Sequence, residues 1–284
     1  PYLQLKDKLT LCSLDRTVHA VLTPIVWHQP TFNDGYVHDE RYLINKFLKL
    51  LPYFSRCVLN SIKVIDISEI EESLYDRVDP DFFRLLVKYC IQLRTLNMNK
   101  VSYFSPSSMI KGTWKLPHLT HINLSDCEFV NDDMIVTIAR SCPRLVTVRL
   151  NNLKQHKGRG LAALASECDS LSSISICNNI NVGDEGVVSL AKFRHIHLRE
   201  LDLTGCVRIT SVGFDFMARY LAHLTLLSLA KTSCRLAQLM KFTCIYRTLQ
   251  SLDISGCQKM DPKEIANWIW HQKFSKLVDL TLDF

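Results

Sequence analysis

One hexapeptide constrains this chain more than any other feature, because it returns. "LRELDL" begins at Leu198, and the same apolar stagger reads "IKVIDI" from Ile62, "LRTLNM" from Leu93, "LTHINL" from Leu119, "LVTVRL" from Leu145 and "LSSISI" from Leu171. It comes again as "LTLLSL" from Leu224, "LQSLDI" from Leu249 and "LVDLTL" from Leu277. That makes nine copies; after a first interval of 31 residues their starts lie 26, 26, 26, 27, 26, 25 and 28 apart. A period this constant marks a repeat architecture. Within each copy two apolar residues alternate with a polar one, as in Leu201, Asp202 and Leu203, which predicts a short strand with one buried and one wet face. A turn such as "TGC", "SGC" or "SDC" follows, and then a helical segment. "DDMIVTIARSC" places Met134, Ile135, Ile138 and Ala139 on one helix face. "DPKEIANWIW" offers Asp261 as N-cap, Pro262 at the first helical position and Glu264 at the third, a capping box. "DPDFFRLLVKYC" opens the same way from Asp79. One strand and one helix cannot bury their own apolar faces, but stacked neighbours can. The expectation is an α/β solenoid, a horseshoe with parallel strands on the concave side and helices on the convex side. Its sheet would be about 40 Å long at ~4.8 Å per strand.

These residues resemble the leucine-rich repeat, in its cysteine-containing subclass. "VNDDMIVTIARSCPRL", "GRGLAALASECDSL" and "ITSVGFDFMARY" carry the likeness, which covers about residues 60–284. The repeat accounts for most of the 11 cysteines. Cys127, Cys206 and Cys257 stand three residues after the last apolar strand residue, and Cys90, Cys142 and Cys168 three before the first. Both columns are expected to point inward, where a thiol packs as a small hydrophobe and bonds weakly to backbone. Val101, Leu153, Asn179 and Thr232 share the first column, and an obligatory metal ligand would not be so exchangeable. Cys234 and Cys244 fall off-column. Cys177 is the candidate for an exposed thiol, as a bystander or as a reactive group. The odd count argues against a closed disulfide framework, and the start "PYLQLKDKLTLCSLD" has no apolar run of signal type. Reduced thiols in cytoplasm or nucleus are the expectation.

Residues 1–57 lack the repeat, so the expected division is 1–57, a helical cap and linker, and 58–284, the solenoid. Leu9, Leu11, Leu14, Val18, Val21 and Leu22 have helical spacing, and an amphipathic helix is expected near Glu40–Leu51. The segment resembles the second half of an F-box, matching at Leu5, Asp7, Leu9, Leu11, Arg16, Ala20, Pro24 and Trp27. Asp15 and Val18 depart from that pattern, and the opening helix of the motif has no counterpart. The alternative is a plain helical cap over the apolar edge of the first repeat, and the two readings are compatible.

Nothing in the sequence points to catalysis, cofactor or metal. There is no phosphate loop, and "GRG" and "NVGDEG" are helix-start glycines at repeat period. His118 and His121 in "HLTH" lack a metal-site carboxylate, and Asp132 with Asp133 suit a helix first turn. A net charge of +6 is too mild for a nucleic-acid stripe, and no run of about 18 apolar residues could span a membrane. A protein partner is expected instead, on the polar columns of the strand face. The residues between the inner strand leucines are Asp66, Asn97, Asn123, Arg149, Ser175, Asp202, Ser228, Asp253 and Thr281. Two residues on lie Ser68, Asn99, Ser125, Asn151, Cys177, Thr204, Ala230, Ser255 and Asp283. A merely solvated sheet face is the alternative for any one of them. Around this face, "SEIEESLYDRVDPD" is acidic, while "NNLKQHKGRG" gathers Lys154, His156, Lys157 and Arg159 near Arg149 and Arg144. Such asymmetry orients a charged partner. Arg199 and Glu200 are placed on this face too. Tyr103 and Phe104 in "YFSPSS" are either interface anchors or buried under their loop.

A leucine-rich-repeat horseshoe behind an F-box-like cap resembles the F-box leucine-rich-repeat family, and is similar to its fungal branch of antagonists of the mitotic exit network. The resemblance implies a substrate receptor of a cullin-based SCF ubiquitin ligase. Leu5, Leu9, Pro24 and Trp27 would dock the SCF adaptor, a protein degron would sit on the concave face, and the chemistry would belong to other subunits, rate enhancement being proximity. The rival is a non-catalytic inhibitory module that sequesters a small GTPase. A GTPase-activating leucine-rich-repeat protein is disfavoured, since longer repeats and an acidic tail are absent.

Overall fold

The computed structural model describes residues 16–32, 40–68, 81–101, 115–194, 197–242, 245–257, 261–271 and 276–282. The chain divides into two compact units, Pro1–Phe129 and Val130–Phe284. In the first, helices α1 (Arg16–Val26) and α2 (Glu40–Leu50), a 3-10 turn (Leu51–Tyr53) and helix α3 (Arg56–Ser61) precede strand β1 (Val64–Asp66), helix α4 (Phe82–Tyr89) and strands β2 (Thr95–Asn97) and β3 (His121–Asn123). The three strands are parallel and neighbour in chain order, with Val64 beside Thr95 and Thr95 beside His121. Ile44, Leu48 and Leu51 of the helical module and Ile62, Ile65, Leu93 and Leu96 of the strand segments are all fully buried. The amphipathic spacing over Glu40–Leu50 therefore forms the expected helix. The expected cap at Asp79 lies outside the described residues; α4 begins at Phe82, and the Asp81 carboxylate pairs with Arg84 (Nε 3.0 Å).

The second unit alternates helix and strand: α5 (Asp132–Ser141), β4 (Thr147–Arg149), α6 (Arg159–Glu167), β5 (Ser173–Ser175), α7 (Asp184–Arg194), β6 (Glu200–Asp202), α8 (Ser211–Tyr220), β7 (Leu226–Ser228), α9 (Leu236–Leu239), β8 (Ser251–Asp253), α10 (Pro262–His271) and β9 (Asp279–Thr281). Its strands are parallel and sequential, with Thr147, Ser173, Glu200, Leu226, Ser251 and Asp279 in register. The strand–turn–helix unit predicted from the period is thus what recurs. Only α9 is stunted. The residues that follow it, "KFTCIYRT", are mostly aromatic, β-branched or otherwise weak helix formers, and the chain there makes a 3-10 turn over Ile245–Arg247 instead.

Each described turn from β2 to β8 places one residue in the left-handed region: Lys100, Asp126, Asn152, Asn178, Gly205, Lys231 and Gly256, at φ 54–72°. That is the reason Gly, Asn and Asp gather there. Helix starts approach so closely that a Cβ on Gly160 would sit 2.7 Å from Ile135 Cβ, and one on Gly213 2.6 Å from Asp184 Oδ1. Gly160, Gly186 and Gly213 are therefore packing residues.

Candidate functional site

The cysteine columns face the core. Cys90, Cys127, Cys142, Cys168, Cys206 and Cys257 are all buried. The thiols of the turn column reach back one repeat: Cys127 Sγ donates to Met98 O (2.9 Å), Cys206 Sγ to Ile176 O (3.2 Å) and Cys257 Sγ to Leu229 O (3.1 Å). Asn179, in the same column, does so with its amide, Nδ2 donating to Leu150 O (2.7 Å). Burial pushes the Cys90, Cys127 and Cys206 thiols up to about 12, which makes them packing groups and not nucleophiles. Cys234 is buried as well, and burial raises it; Cys244 lies outside the described residues. Cys177 is only partly exposed. Its thiol donates to Asp202 Oδ2 (2.8 Å), and burial followed by that bond pushes it up to about 11, so it is no reactive thiol.

On the strand face the middle column has an internal duty. Asp66 Oδ1 accepts from Ser68 N (3.0 Å), Asn97 Oδ1 from Asn99 N (3.2 Å), Asn123 Oδ1 from Ser125 N (3.1 Å), Asp202 Oδ1 from Thr204 N (3.1 Å) and Asp253 Oδ1 from Ser255 N (3.0 Å). These are Asx turns that bend the chain out of each strand. Lateral bonds join them: Asn97 Nδ2 donates to Asp66 Oδ2 (3.0 Å), Ser228 Oγ to Asp253 Oδ2 (3.3 Å), and Thr204 Oγ1 meets Ser228 Oγ at 2.7 Å. Asn151 Oδ1 accepts from Ser175 Oγ and Cys177 N, both at 2.8 Å. Of the expected partner residues, Asn97, Asn99, Asn123, Asn151, Asp202 and Asp253 are therefore half-buried and hydrogen-bonded within the chain.

The basic loop separates into parts. Arg149 is exposed at the end of β4, and its side chain makes no hydrogen bond or ion pair among the described residues. Lys154 and Lys157 are exposed; Lys154 O accepts from Asn181 Nδ2 (3.0 Å). Arg159, also exposed, pairs with Asp133 (3.0 Å). His156 corrects the sequence expectation: its ring is fully buried. Asn179 explains its state. That amide is pinned by Leu153 N donating to Oδ1 (2.7 Å) and by its own bond to Leu150 O, so its second N–H meets His156 Nδ1 (3.1 Å). Nδ1 must then be the acceptor and Nε2 carry the proton. Nε2 stops 3.6 Å from Asp132 Oδ1, too long for a hydrogen bond. Burial lowers the His156 pKa, and the Asp132 charge offsets part of that. Asp132 in turn caps the next repeat's helix, Oδ1 accepting from Gly160 N (2.7 Å) and Oδ2 from Lys157 N (2.8 Å).

Sequence reasoning placed Glu200 on the strand face beside Arg199 and Asp202, and missed the other residues that open the strands of the second unit, Thr147, Ser173, Leu226, Ser251 and Asp279. Period-two alternation places them on the same face as Arg149 and Asp202. Arg199, expected on that face, is exposed one residue before β6. Tyr103, Phe104, Leu5 and Leu9 lie outside the described residues. In the N-terminal module Pro24 is exposed within α1, flanked by Val21 (62% exposed) and Ile25 (67%). Trp27 is half-buried and packs on Phe54 (ring centroids 4.7 Å), a contact that helps hold the module together.

A sequence profile described as leucine rich repeat matches residues 115–136 and 194–217. Among solved structures, the chain is similar to one in the crystal structure of the Rad7 and Elc1 complex in yeast. The match has a TM-score of 0.54 at 15% identity and covers 94% of this chain and 82% of that one. With the parallel strands and the helices between them, these likenesses make the fold an α/β leucine-rich-repeat solenoid.

Proposed function

We propose that this chain is the substrate-recognition subunit of an SCF-type cullin ubiquitin ligase, with an adaptor on its N-terminal module and a protein degron on its strand face. The observation that carries the reading is the outward apolar face of α1. Val21 and Ile25 stand one helical turn apart with Pro24 beside them, in the segment that resembles an F-box. Two aliphatic side chains more than half exposed on one helix are a protein-docking surface in waiting. The resemblance to a chain solved in complex with a second protein, Elc1, supports a partnered role. The nine described cysteines are free thiols, in keeping with work in cytoplasm or nucleus. Cell-cycle regulators are the first substrates to try.

The test is co-purification of the chain with the SCF adaptor, for the native chain and for Val21→Asp/Ile25→Asp. Burial of a Val and an Ile is worth roughly 1.5–3 kcal/mol each, so the double variant should weaken adaptor binding by at least about tenfold. A native chain that captures its substrate but never the adaptor would sink the ligase reading in favour of an inhibitory binding module.

A further inference from the structure

The internal ladders satisfy the hydrogen bonds of most polar residues of the strand face, but a carboxylate bonded only to neutral donors, as Asp253 is, keeps its charge for a partner. What remains in the second unit is sparse and ordered. Arg149 on β4 is exposed, and its side chain is unpaired among the described residues. Two strands on, β6 opens with exposed Glu200, which accepts only a neutral bond, from Ser173 Oγ (2.7 Å). On β7 Leu226 is 37% exposed, where the same column holds polar residues on the other strands of the second unit. Beyond it, Asp253 on β8 and exposed Asp279 on β9 add two carboxylates; Asp253 takes its bonds from Ser255 N and Ser228 Oγ. Among the described residues no salt bridge neutralises Glu200, Asp202, Asp253 or Asp279. The rim holds Arg199 and Lys231, but the three face columns of β6 to β9 contain no described cation.

We infer that this strip recognises an extended protein segment of complementary order: an acidic side chain over Arg149, an apolar one on Leu226, and basic side chains over Glu200 and over Asp253 and Asp279. The inference rests on the strand face being the substrate face and names the chemistry of what it takes. The spacing follows from the sheet. At ~4.8 Å per strand, Glu200 lies about 10 Å from the Arg149 row, Leu226 about 14 Å, Asp253 about 19 Å and Asp279 about 24 Å. A segment crossing the strands at ~3.4 Å per residue meets these rows about three, four, six and seven residues after its acidic residue. A segment that is acidic throughout would meet the β6–β9 carboxylates with like charge, and a wholly basic one would meet Arg149.

The probes are fluorescent synthetic peptides titrated into the full chain. One carries Glu, then Lys three, Leu four and Lys six and seven residues on, with Ser and Gly elsewhere. A second reads the same pattern backwards, and controls replace Glu by Lys, every Lys by Glu, or Leu by Ser. One of the two patterned peptides should bind at least tenfold more tightly than all three controls. Arg149→Glu should abolish that preference and bind the Glu-to-Lys control better than the native chain does. Leu226→Ser should erase the difference between the Leu and Ser peptides. Equal binding of all peptides overturns the inference. So does native-chain self-association that Arg149→Glu abolishes, which would make the strip an interface between copies. Adaptor co-purification on the same preparation reports on the ligase reading separately. Adaptor capture without peptide discrimination rejects the strip alone; discrimination without adaptor rejects only the ligase.

Discussion

The His156 ring is fully buried, with its Nδ1 held 3.1 Å from the Asn179 amide. Its neighbours Lys154 and Lys157 are exposed, and proximity in sequence draws it into their basic loop. The period tells a different story, because three residues after the turn column stand Val130, His156, Val182 and Ile209, all fully buried. A polar residue in an apolar column was legible as a core residue; what was not legible is the amide that holds it neutral. Protonation would set Nδ1–H against the pinned Asn179 N–H, and it would place a charge in a dry site. The sign follows. The folded state keeps His156 below its ordinary pKa, so the unfolded chain takes up the proton first as pH falls. The stability it contributes is whole above about pH 6.5 and declines below, by up to ~1.4 kcal/mol per pH unit until the folded-state pKa is reached. In urea unfolding between pH 8 and 5, the advantage of the native chain over His156→Asn should shrink as pH drops. An advantage that stays constant across that range would show that His156 does not titrate between the two states. The Asx turns were readable in the same way: "DIS", "NMN", "NLS" and "DLT" place Asp or Asn two before the N–H it captures, which assigns Asn97, Asn123 and Asp202 to the turn before any partner.

At the scale of elements, what joins repeat to repeat is partly side chains that cap a neighbour. Helix α6 begins at Gly158, which has no capping side chain, and Asp132 from the preceding repeat supplies the carboxylate. Asp184 does the same for α8, Oδ1 accepting from Thr210 N (2.8 Å) and Gly213 N (3.0 Å). Sequence reasoning placed Asp132 at its own helix start through the macrodipole, and its second role shows only when the repeats are stacked. Asp132→Ala should cost about 1–2 kcal/mol, in the range of a lost N-cap, and Asp184→Ala a similar amount. Hydrogen exchange should quicken first at Lys157 and Gly160 in the former and at Thr210 and Gly213 in the latter. Uniform acceleration along the chain would contradict a local cap. The left-handed turn column gives a sharper contrast. A Cβ at Gly205 would lie 2.3 Å from Asn178 Oδ1 at φ 72°, so Gly205→Ala should destabilise by about 2 kcal/mol or more. Lys231 has φ 54° with a side chain in place; Lys231→Gly relieves that conformation but loosens the unfolded chain, for a net gain between zero and about 1 kcal/mol. Thermal melts that rank the two variants the other way would refute this account of the turn.

For the molecule as a whole, a solenoid must end its sheet somewhere, and at the N-terminal side the chain does so with backbone. In each repeat the residue before the strand offers its carbonyl to two N–H groups of the next: Lys63 O accepts from Arg94 N (2.7 Å) and Thr95 N (2.9 Å), Arg94 O from Thr120 N and His121 N. One step upstream, His28 O accepts from Lys63 N (2.9 Å) and Val64 N (3.0 Å). The helical module thus supplies the hydrogen-bond acceptor of a strand it does not contain. Its apolar side chains cover the core beside β1, with Phe47 packed against Phe32 and Phe54. The sequence showed a cap of helical spacing. It could not show which carbonyl completes the sheet, because a backbone acceptor carries no side-chain signature. It follows that the described helical segments before β1 contribute to the fold whatever they dock. Removing them exposes the β1 edge and the buried faces of Ile62 and Ile65, a long parallel sheet with an open end. A chain of residues 58–284 should therefore self-associate on size-exclusion chromatography and melt at lower temperature, while Val21→Asp/Ile25→Asp, which alters only the outward face of α1, should stay monodisperse and melt as the native chain does. A monodisperse truncated chain with native melting would separate the helical module from the fold, and would leave docking as its sole duty.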